Sequence, residues 1–553
     1  MSKLKKKQKF KVIKDKGNYM AKALMIQGTS SNAGKSLLVT ALCRIYMKRG
    51  YKVAPFKSQN MSLNSYTTKE NGEMAVAQYL QSLAAKIEPE IDMNPILLKP
   101  KGEFISQVII QGKVVDDMDF YTYQHDFKQE AIRVMHESYE RISKKYDIIF
   151  IEGAGSPSEI NMREEDIANM EVAHMADCNV VLVADIDRGG VFAAIAGTFA
   201  LLDERDHARL KAVIINKFSG NLDILIPGIE KLEKIIKAPV LGVIPFDKSL
   251  KLPEEDSQSL ADHKFLEKDN SKKDIIIAVI KLPKIANFTD IDPFEAEEDV
   301  GIKMVSVYDM PSELDNVDMI IIPGTRTSTA DAKALIDSGL ADKIIEKSKQ
   351  IPVIGICGGY QILGQELVDE NMKESHLKHV PGLGLLDIKT EYKNNIKAAC
   401  QTKLRVPENK DLCGLAKIIF KNLYNEQLTG YEQHEGTSTI INSSINTTNP
   451  LFIVEEGVGN NFNTKFDGAC GESNVFGTYV HGIFHNYTLR KSLLNYIRAN
   501  KGLKLDEGTR GPYQDSLDNA LEQLAQLIED NVDMDYIDKL IFGEDYEYTT
   551  ASK

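Results

Sequence analysis

The chain has 553 residues, 43% apolar and 27% charged, with a net charge of −13 at pH 7; at roughly one domain per 150 residues, it should form two to four globular domains with a large core. The acidic balance excludes a general nucleic-acid binder, which needs a basic surface, but leaves room for a local positive pocket and an anionic small substrate. No run of 18 or more apolar residues offers a membrane span, and six scattered cysteines without a CxxC pair indicate a reducing cytoplasm, no disulfide framework and no zinc site.

Residues 1–21 open with "MSKLKKKQKFKVIKDKGNYM", which is basic and lacks an apolar centre. They read as a flexible tail rather than a secretory signal, with Met20 an alternative start. Residues 22–252 then alternate short apolar runs with helical patterns. "ALMIQG", "DIIFIEG", "NVVLVAD" and "KAVIINK" read as buried parallel strands ending in polar or glycine residues, and "LGVIPFD" closes the series. That is an open α/β domain, whose ligands sit at the carboxyl ends of its strands. Residues 253–274, polar and charged, read as a linker. "DIIIAVIKLP", "MIIIPGT" and "PVIGIC" begin a second α/β domain over 275–500. In residues 501–553, Leu517, Leu521, Leu524 and Ile528 recur at helical spacing and mark an amphipathic helix in a C-terminal tail.

The stretch "MIQGTSSNAGKSLLVTALCRIYMKRG" is a strand, a glycine-rich loop and a helix in that order. Gly28, Thr29, Asn32 and Gly34 shape a loop whose backbone N–H groups would cradle phosphates. Lys35 would reach the outer phosphates and Ser36 would hold Mg²⁺. Five residues separate Gly28 from Gly34, one more than the usual pattern, and the mechanics survive the insertion. The plainer reading is a glycine turn opening a helix. Glu152 ends a strand and is a candidate for Mg²⁺, directly or through water; Asn216, in "IINKF", is placed to read a nucleotide base, and an ordinary cap is the alternative for each.

In "PVIGICGGYQILGQEL", Cys357 sits between an apolar strand and a helix, flanked by Gly355 and Gly358. Such an elbow presents the sulfur at a helix N-terminus, where the dipole favours the thiolate and the Gly358 N–H faces a developing oxyanion. A nucleophile needs a base. His481, after a strand and before a glycine in "GTYVHGIF", is the first candidate. His485 reads as a surface residue, and His434, in "GYEQHEG", as either a substrate contact or a structural residue.

"GICGGYQ" with a later "YVHG" resembles the class I glutamine amidotransferase domain, in which a cysteine and a histidine release ammonia from glutamine. The superfamily places glutamate two residues after the histidine; here Ile483 stands there, so the third member is missing or supplied elsewhere. That departure is typical of the cobyric acid and cobyrinic acid a,c-diamide synthase branch. "GTSSNAGKS" resembles the dethiobiotin-synthetase-like ATPase, extra loop residue included. "PFKSQNMSLNS", "MNPILLKP", "EGAGSPSEINMREEDIANM" and "DIDRGGVFAAIAGT" resemble the cobyric acid synthases closely. "GTRTST" and "GYEQHEG" match more loosely, with Gln433 and Glu435 out of pattern. The resemblance runs from about residue 22 to 530.

It implies an α/β fold of two domains, an N-terminal P-loop (dethiobiotin-synthetase-like) parallel sheet and a C-terminal class I glutamine amidotransferase (flavodoxin-like) domain. It also implies a cytoplasmic ligase using ATP, Mg²⁺ and glutamine on a corrinoid, without nucleic acid. ATP would phosphorylate a carboxylate of adenosylcobyrinic acid a,c-diamide, ammonia would displace the phosphate, and four such rounds would give adenosylcobyric acid. Cys357 and His481 would be catalytic, with Gly358, Gly324 and Thr325 at the oxyanion. Lys57, Gln59, Asn60 and Asn64 suit a substrate bearing carboxylates and amides, with Asp166, Asp185, Asp187 and Arg188 facing the same cleft. Glu73 aligns as a second magnesium contact, or else starts an exposed helix. The rivals are a cobyrinic acid a,c-diamide synthase, a peptidoglycan-amidating synthetase and a non-enzymatic P-loop ATPase switch. Oligomeric state and the ammonia route are not legible.

Overall fold

The computed structural model describes residues 20–101, 104–247, 249–253, 270–393, 397–441, 447–508 and 510–544. Most of the expected basic tail (1–19) and of the expected linker (254–269) lies outside them. The chain divides into two units. The first runs to Met61, resumes over Met74–Leu252 and is completed from Asp518 onward; the second comprises Ser62–Glu73 and Pro253–Leu517.

The first unit is built on six parallel strands: β1 (Lys22–Gly28), β2 (Val53–Phe56), β3 (Ile148–Glu152), β4 (Asn179–Asp185), β5 (Leu210–Phe218) and β6 (Val240–Pro245). Their order is β6-β5-β4-β1-β3-β2. The central strands are apolar runs buried along almost their whole length, as a sheet covered on both faces requires. Helix α1 (Lys35–Lys48) follows β1. The chain departs from β1 to one side and returns to its other side, which makes the carboxyl end of β1 the switch point where such sheets bind ligands. A small sheet, with strands Gln59–Met61, Ile96–Pro100, Ile105–Ile110 and Lys113–Asp119, extends this unit.

The C-terminal helices are integral to the first unit. The helix Tyr513–Asn531 buries Leu521, Leu524 and Ile528, and a second helix, Met534–Phe542, follows it. Arg44 of α1, fully buried, pairs with Asp518 and Glu522, and Tyr46 donates to Asp538 at 2.5 Å. Asp533 N–H bonds the carbonyl of Leu241 in β6.

The second unit holds a nine-stranded mixed sheet. Its strands are β7 (Ile275–Lys281), β8 (Val300–Ser306), β9 (Met319–Ile322), β10 (Val353–Ile356), β11 (Lys397–Arg405), β12 (Gln427–Glu435), β13 (Thr448–Glu456), β14 (Phe466–Gly471) and β15 (Val475–Thr478), in the order β8-β7-β9-β10-β15-β14-β13-β11-β12. The first five in that order are parallel and the remainder antiparallel. The expected two-domain α/β class holds. Among the described residues no helix is long and apolar enough to cross a membrane.

Leu521→Ala should weaken the first unit by ~2–5 kcal/mol, the usual cost of emptying a buried leucine site. Urea titration followed by circular dichroism reads this as a lower midpoint; an unchanged midpoint would remove the C-terminal helix from that core.

Candidate functional sites

At the end of β1 the phosphate loop folds tightly against β5. Gly34 takes φ 107°, and a Cβ there would lie 2.0 Å from Asn216 Nδ2, so no other residue fits. Asn216 donates to the carbonyl of Ala33 at 2.9 Å, so its amide braces the loop. Lys35 Nζ donates to the carbonyls of Ser30 and Gly155 at 2.9 and 3.0 Å. Ser36 Oγ donates to Glu152 Oε1 at 2.8 Å, bringing together the two residues expected at Mg²⁺. Both are hard oxygen donors of the kind Mg²⁺ takes beside phosphate oxygens, and they fit that ion.

Glu152, 1% exposed, also accepts from Lys57 Nζ at 2.8 Å, Gln81 Nε2 at 2.6 Å and Gln78 Nε2 at 3.4 Å. Asn60 joins through Gln78 Oε1 at 3.1 Å, and Gln59 accepts from Tyr123. Gln78 and Gln81 escaped the sequence reading. Their signal is a pair of amides three apart on an otherwise apolar helix, Val76–Ala84.

Other expected residues fall differently. Glu73 and Asn64 belong to a hairpin, 62–73, that packs with the second unit. Glu73 is buried, not the start of an exposed helix, and its carboxylate is held by Lys397 Nζ at 2.7 Å and Ser65 Oγ at 2.9 Å. Lys57 belongs to the first unit, and Asn64 and Glu73 to the second. Asp166 caps a turn, accepting from the N–H groups of Ala168, Asn169 and Glu171. Asp185, at the end of β4, pairs with Lys217 at 2.8 Å, while Asp187 and Arg188 are exposed in the loop that follows.

In the second unit Cys357 occupies φ 52°, ψ −110°, a strained elbow between β10 and the short helix Gly358–Ile362. The turn tolerates nothing larger at Gly358, where a Cβ would lie 2.6 Å from Thr325 Cγ2 and 3.0 Å from Thr325 N. A Cβ on Gly324 would stand 3.0 Å from His481 Cε1 and 3.8 Å from Cys357 Cβ, so Gly324, Thr325, Gly358, Cys357 and His481 converge.

The carboxylate against His481 is Asp290. Its Oδ2 lies 2.7 Å from His481 Nδ1, and its Oδ1 accepts from Gly482 N–H at 2.6 Å. Burial works against charge on the imidazole, yet the Asp290 carboxylate and the Cys357 sulfur outweigh it and push His481 up to about 10. Ile483, two residues beyond, is buried and apolar. His434 is structural: it bonds Glu432 at 3.1 Å and stacks on Tyr479 with ring centroids 3.8 Å apart. His485 is exposed. Arg326, beside Thr325, pairs with Glu435 at 3.2 Å.

A braced phosphate loop over a parallel sheet, and a cysteine elbow with a histidine and a carboxylate in a separate unit, define a nucleotide-binding domain fused to a glutamine amidotransferase domain. Residues 24–260 match the CobQ/CobB/MinD/ParA nucleotide binding domain and residues 276–489 the CobB/CobQ-like glutamine amidotransferase domain. A protein of Methanothermobacter thermautotrophicus is 50% identical over 95% of this chain and 100% of its own length. One from Methanosphaera stadtmanae is 50% identical over 94% and 99%, and one from Methanocaldococcus jannaschii 44% over 93% and 99%. Each carries the name "Probable cobyric acid synthase". The chain belongs to the cobyric acid synthase family, whose members are ligases with a glutamine amidotransferase domain.

Asp290→Asn keeps the shape and removes the charge. His481, which with Asp290 in place holds its proton through neutral pH, should then lose it at lower pH. The alkaline limb of glutamine hydrolysis should move acid-ward and the maximal rate fall by ~10²–10⁴-fold, the worth of a placed general acid–base. A pH–rate profile of glutamate release checks this; a limb at the parent position would detach Asp290 from the histidine's titration.

Proposed function

We propose that the protein amidates four peripheral carboxylates of adenosylcobyrinic acid a,c-diamide, using ATP and the ammonia of glutamine. The observation that carries this reading is the joining, in one chain of the cobyric acid synthase family, of a Lys35–Ser36–Glu152 phosphate centre lined by amides and Lys57 with a Cys357–His481–Asp290 centre. The water-soluble reactants fit a cytoplasmic enzyme.

At the second centre Cys357 Sγ attacks the carboxamide carbon of glutamine. The N–H groups of Gly358 and Thr325 receive the oxyanion, at a turn left open by the absence of side chains on Gly324 and Gly358. His481, held by Asp290, gives its proton to the departing nitrogen, so ammonia leaves and a thioester remains. Water, deprotonated by His481, hydrolyses the thioester to glutamate and restores the thiol.

At the first centre Lys35 exchanges the Ser30 and Gly155 carbonyls for phosphate oxygens. Lys57 orients the substrate carboxylate toward the γ-phosphate, with Gln59 and Asn60 reading neighbouring amides. Carboxylate oxygen bonds to phosphorus, ADP leaves, and ammonia then displaces phosphate from the acyl carbon. Mg²⁺, held by Ser36 and Glu152, would offset negative charge on the phosphates.

The test is an incubation with cobyrinic acid a,c-diamide, ATP, Mg²⁺ and glutamine, read by mass spectrometry. Four stepwise carboxylate-to-amide conversions are expected, and no conversion, with adenosylated and plain corrinoid both supplied, would reject the substrate. Cys357→Ala should abolish the glutamine-driven reaction and keep the reaction driven by ammonium salt. Lys35→Ala should abolish both, and ammonium-driven turnover surviving in it would overturn the phosphate-loop role.

A further inference from the structure

Hairpin 62–73 leaves the first unit's sequence directly after Met61 and packs with the second unit. Its strands are Ser65–Thr67 and Glu73–Ala75. Its residues Asn64, Ser65, Thr67 and Glu73 are buried, while its tip, residues 69–71, is exposed. Buried polar groups persist only when hydrogen-bonded, and a well-satisfied network of them is rigid.

The partners of this network surround the glutaminase residues. Ser65 N–H donates at 2.8 Å to Asn287 Oδ1, and Asn287 opens the turn Phe288–Ile291 that carries Asp290. Ser65 Oγ lies 2.5 Å from Gln433 Oε1, which also accepts from Asn287 Nδ2 at 3.2 Å, while Gln433 Nε2 donates to Thr67 Oγ1 at 2.9 Å. The main-chain carbonyl of Gln433 stands 3.4 Å from Cys357 Sγ. Tyr66, between Ser65 and Thr67 in the chain, packs on Tyr431 with centroids 5.2 Å apart. Tyr431 stacks on the His481 ring at 5.4 Å and exchanges backbone hydrogen bonds with His481 at 2.8 and 3.1 Å. Three successive residues of the hairpin thus brace the neighbours of the nucleophile, the base and the carboxylate.

The hairpin's flanks are equally pointed. Lys57–Met61 enter it, and the helix bearing Gln78 and Gln81 leaves it; Lys57, Gln78 and Gln81 all bond Glu152. We propose that hairpin 62–73 is a positioning element of the glutaminase centre and makes glutamine hydrolysis answer to occupancy of the acyl-phosphate centre. The second half of this inference rests on the function proposed above. A flank that moves when the acceptor carboxylate engages Lys57 moves Ser65–Thr67 with it, and a misplacement of ~1 Å at a catalytic constellation costs ~10²-fold in rate.

The test compares the full-length parent with Ser65→Ala/Thr67→Val. Glutamate release is measured with ATP, Mg²⁺ and glutamine, with and without cobyrinic acid a,c-diamide, and ammonium-driven amide synthesis is measured alongside. In the parent the corrinoid should stimulate glutamate release. In the double variant that stimulation should collapse toward unity while ammonium-driven synthesis persists. Stimulation equal to the parent's would overturn the proposal. Loss of ammonium-driven synthesis would signal a misfolded double variant, and Tyr66→Leu, at a half-buried position, then gives the same reading by the same criterion. If the corrinoid is amidated with ammonium yet does not stimulate glutamate release in the parent, the coupling fails and the substrate assignment stands; if it is not amidated either, the substrate assignment fails. The positioning role is then decided by kcat/KM for glutamine hydrolysis: a fall in the variant supports it, and parity with the parent rejects it.

Discussion

A carboxylate kept out of water has to be answered by donors, and each centre of this protein is arranged around one. Glu152 is enclosed by a hydroxyl, an ammonium and two amides. Asp290 is enclosed by an imidazole and a backbone N–H. Stripping one partner from a buried ion pair costs ~3–5 kcal/mol because the remaining charge stays desolvated. The same penalty fixes the geometry, since side chains that neutralise a buried carboxylate have little freedom to wander. At the first centre that places Ser36 beside Lys57; at the second it points His481 toward Cys357.

The six-stranded parallel sheet and the parallel half of the nine-stranded sheet supply the frame. Their strands are mostly continuous apolar runs, so both faces must be covered, and the residues free to do chemistry gather where strands stop. Cys357, Glu152 and Asp185 all stand at or directly after the carboxyl end of a strand. The cysteine elbow adds a steric constraint: glycines at 324 and 358 leave the space that a reacting carbonyl needs.

What the sequence made legible follows the range of each interaction. The alternation of strands and helices, the phosphate loop and the cysteine elbow are local patterns, and the fold class, Lys35–Ser36 and Cys357 were readable from a few contiguous residues. His481 was readable because its glycine-flanked strand end is also local. Asp290 was not, because it meets His481 across 191 positions and its own stretch, "NFTDIDPF", carries no spacing that singles it out. Gln78 and Gln81 look like incidental polar residues until the helix is seen to lie against Glu152. Glu73 aligns with a magnesium contact in sequence, but its bond to Lys397, 324 positions away, carries no local signal.

The manner in which the first unit is completed bears on how the polypeptide is made. Arg44 reaches its acidic partner 474 residues later. At a synthesis rate of ~5–20 residues per second, that guanidinium emerges from the ribosome roughly half a minute or more before Asp518 exists. During that interval the nascent nucleotide-binding half carries an unanswered cation at a site destined for the interior and an uncovered apolar flank. Its closure comes late in synthesis, however early its central strands assemble. The N-terminal half thus waits on the C-terminal helices for its last buried contacts.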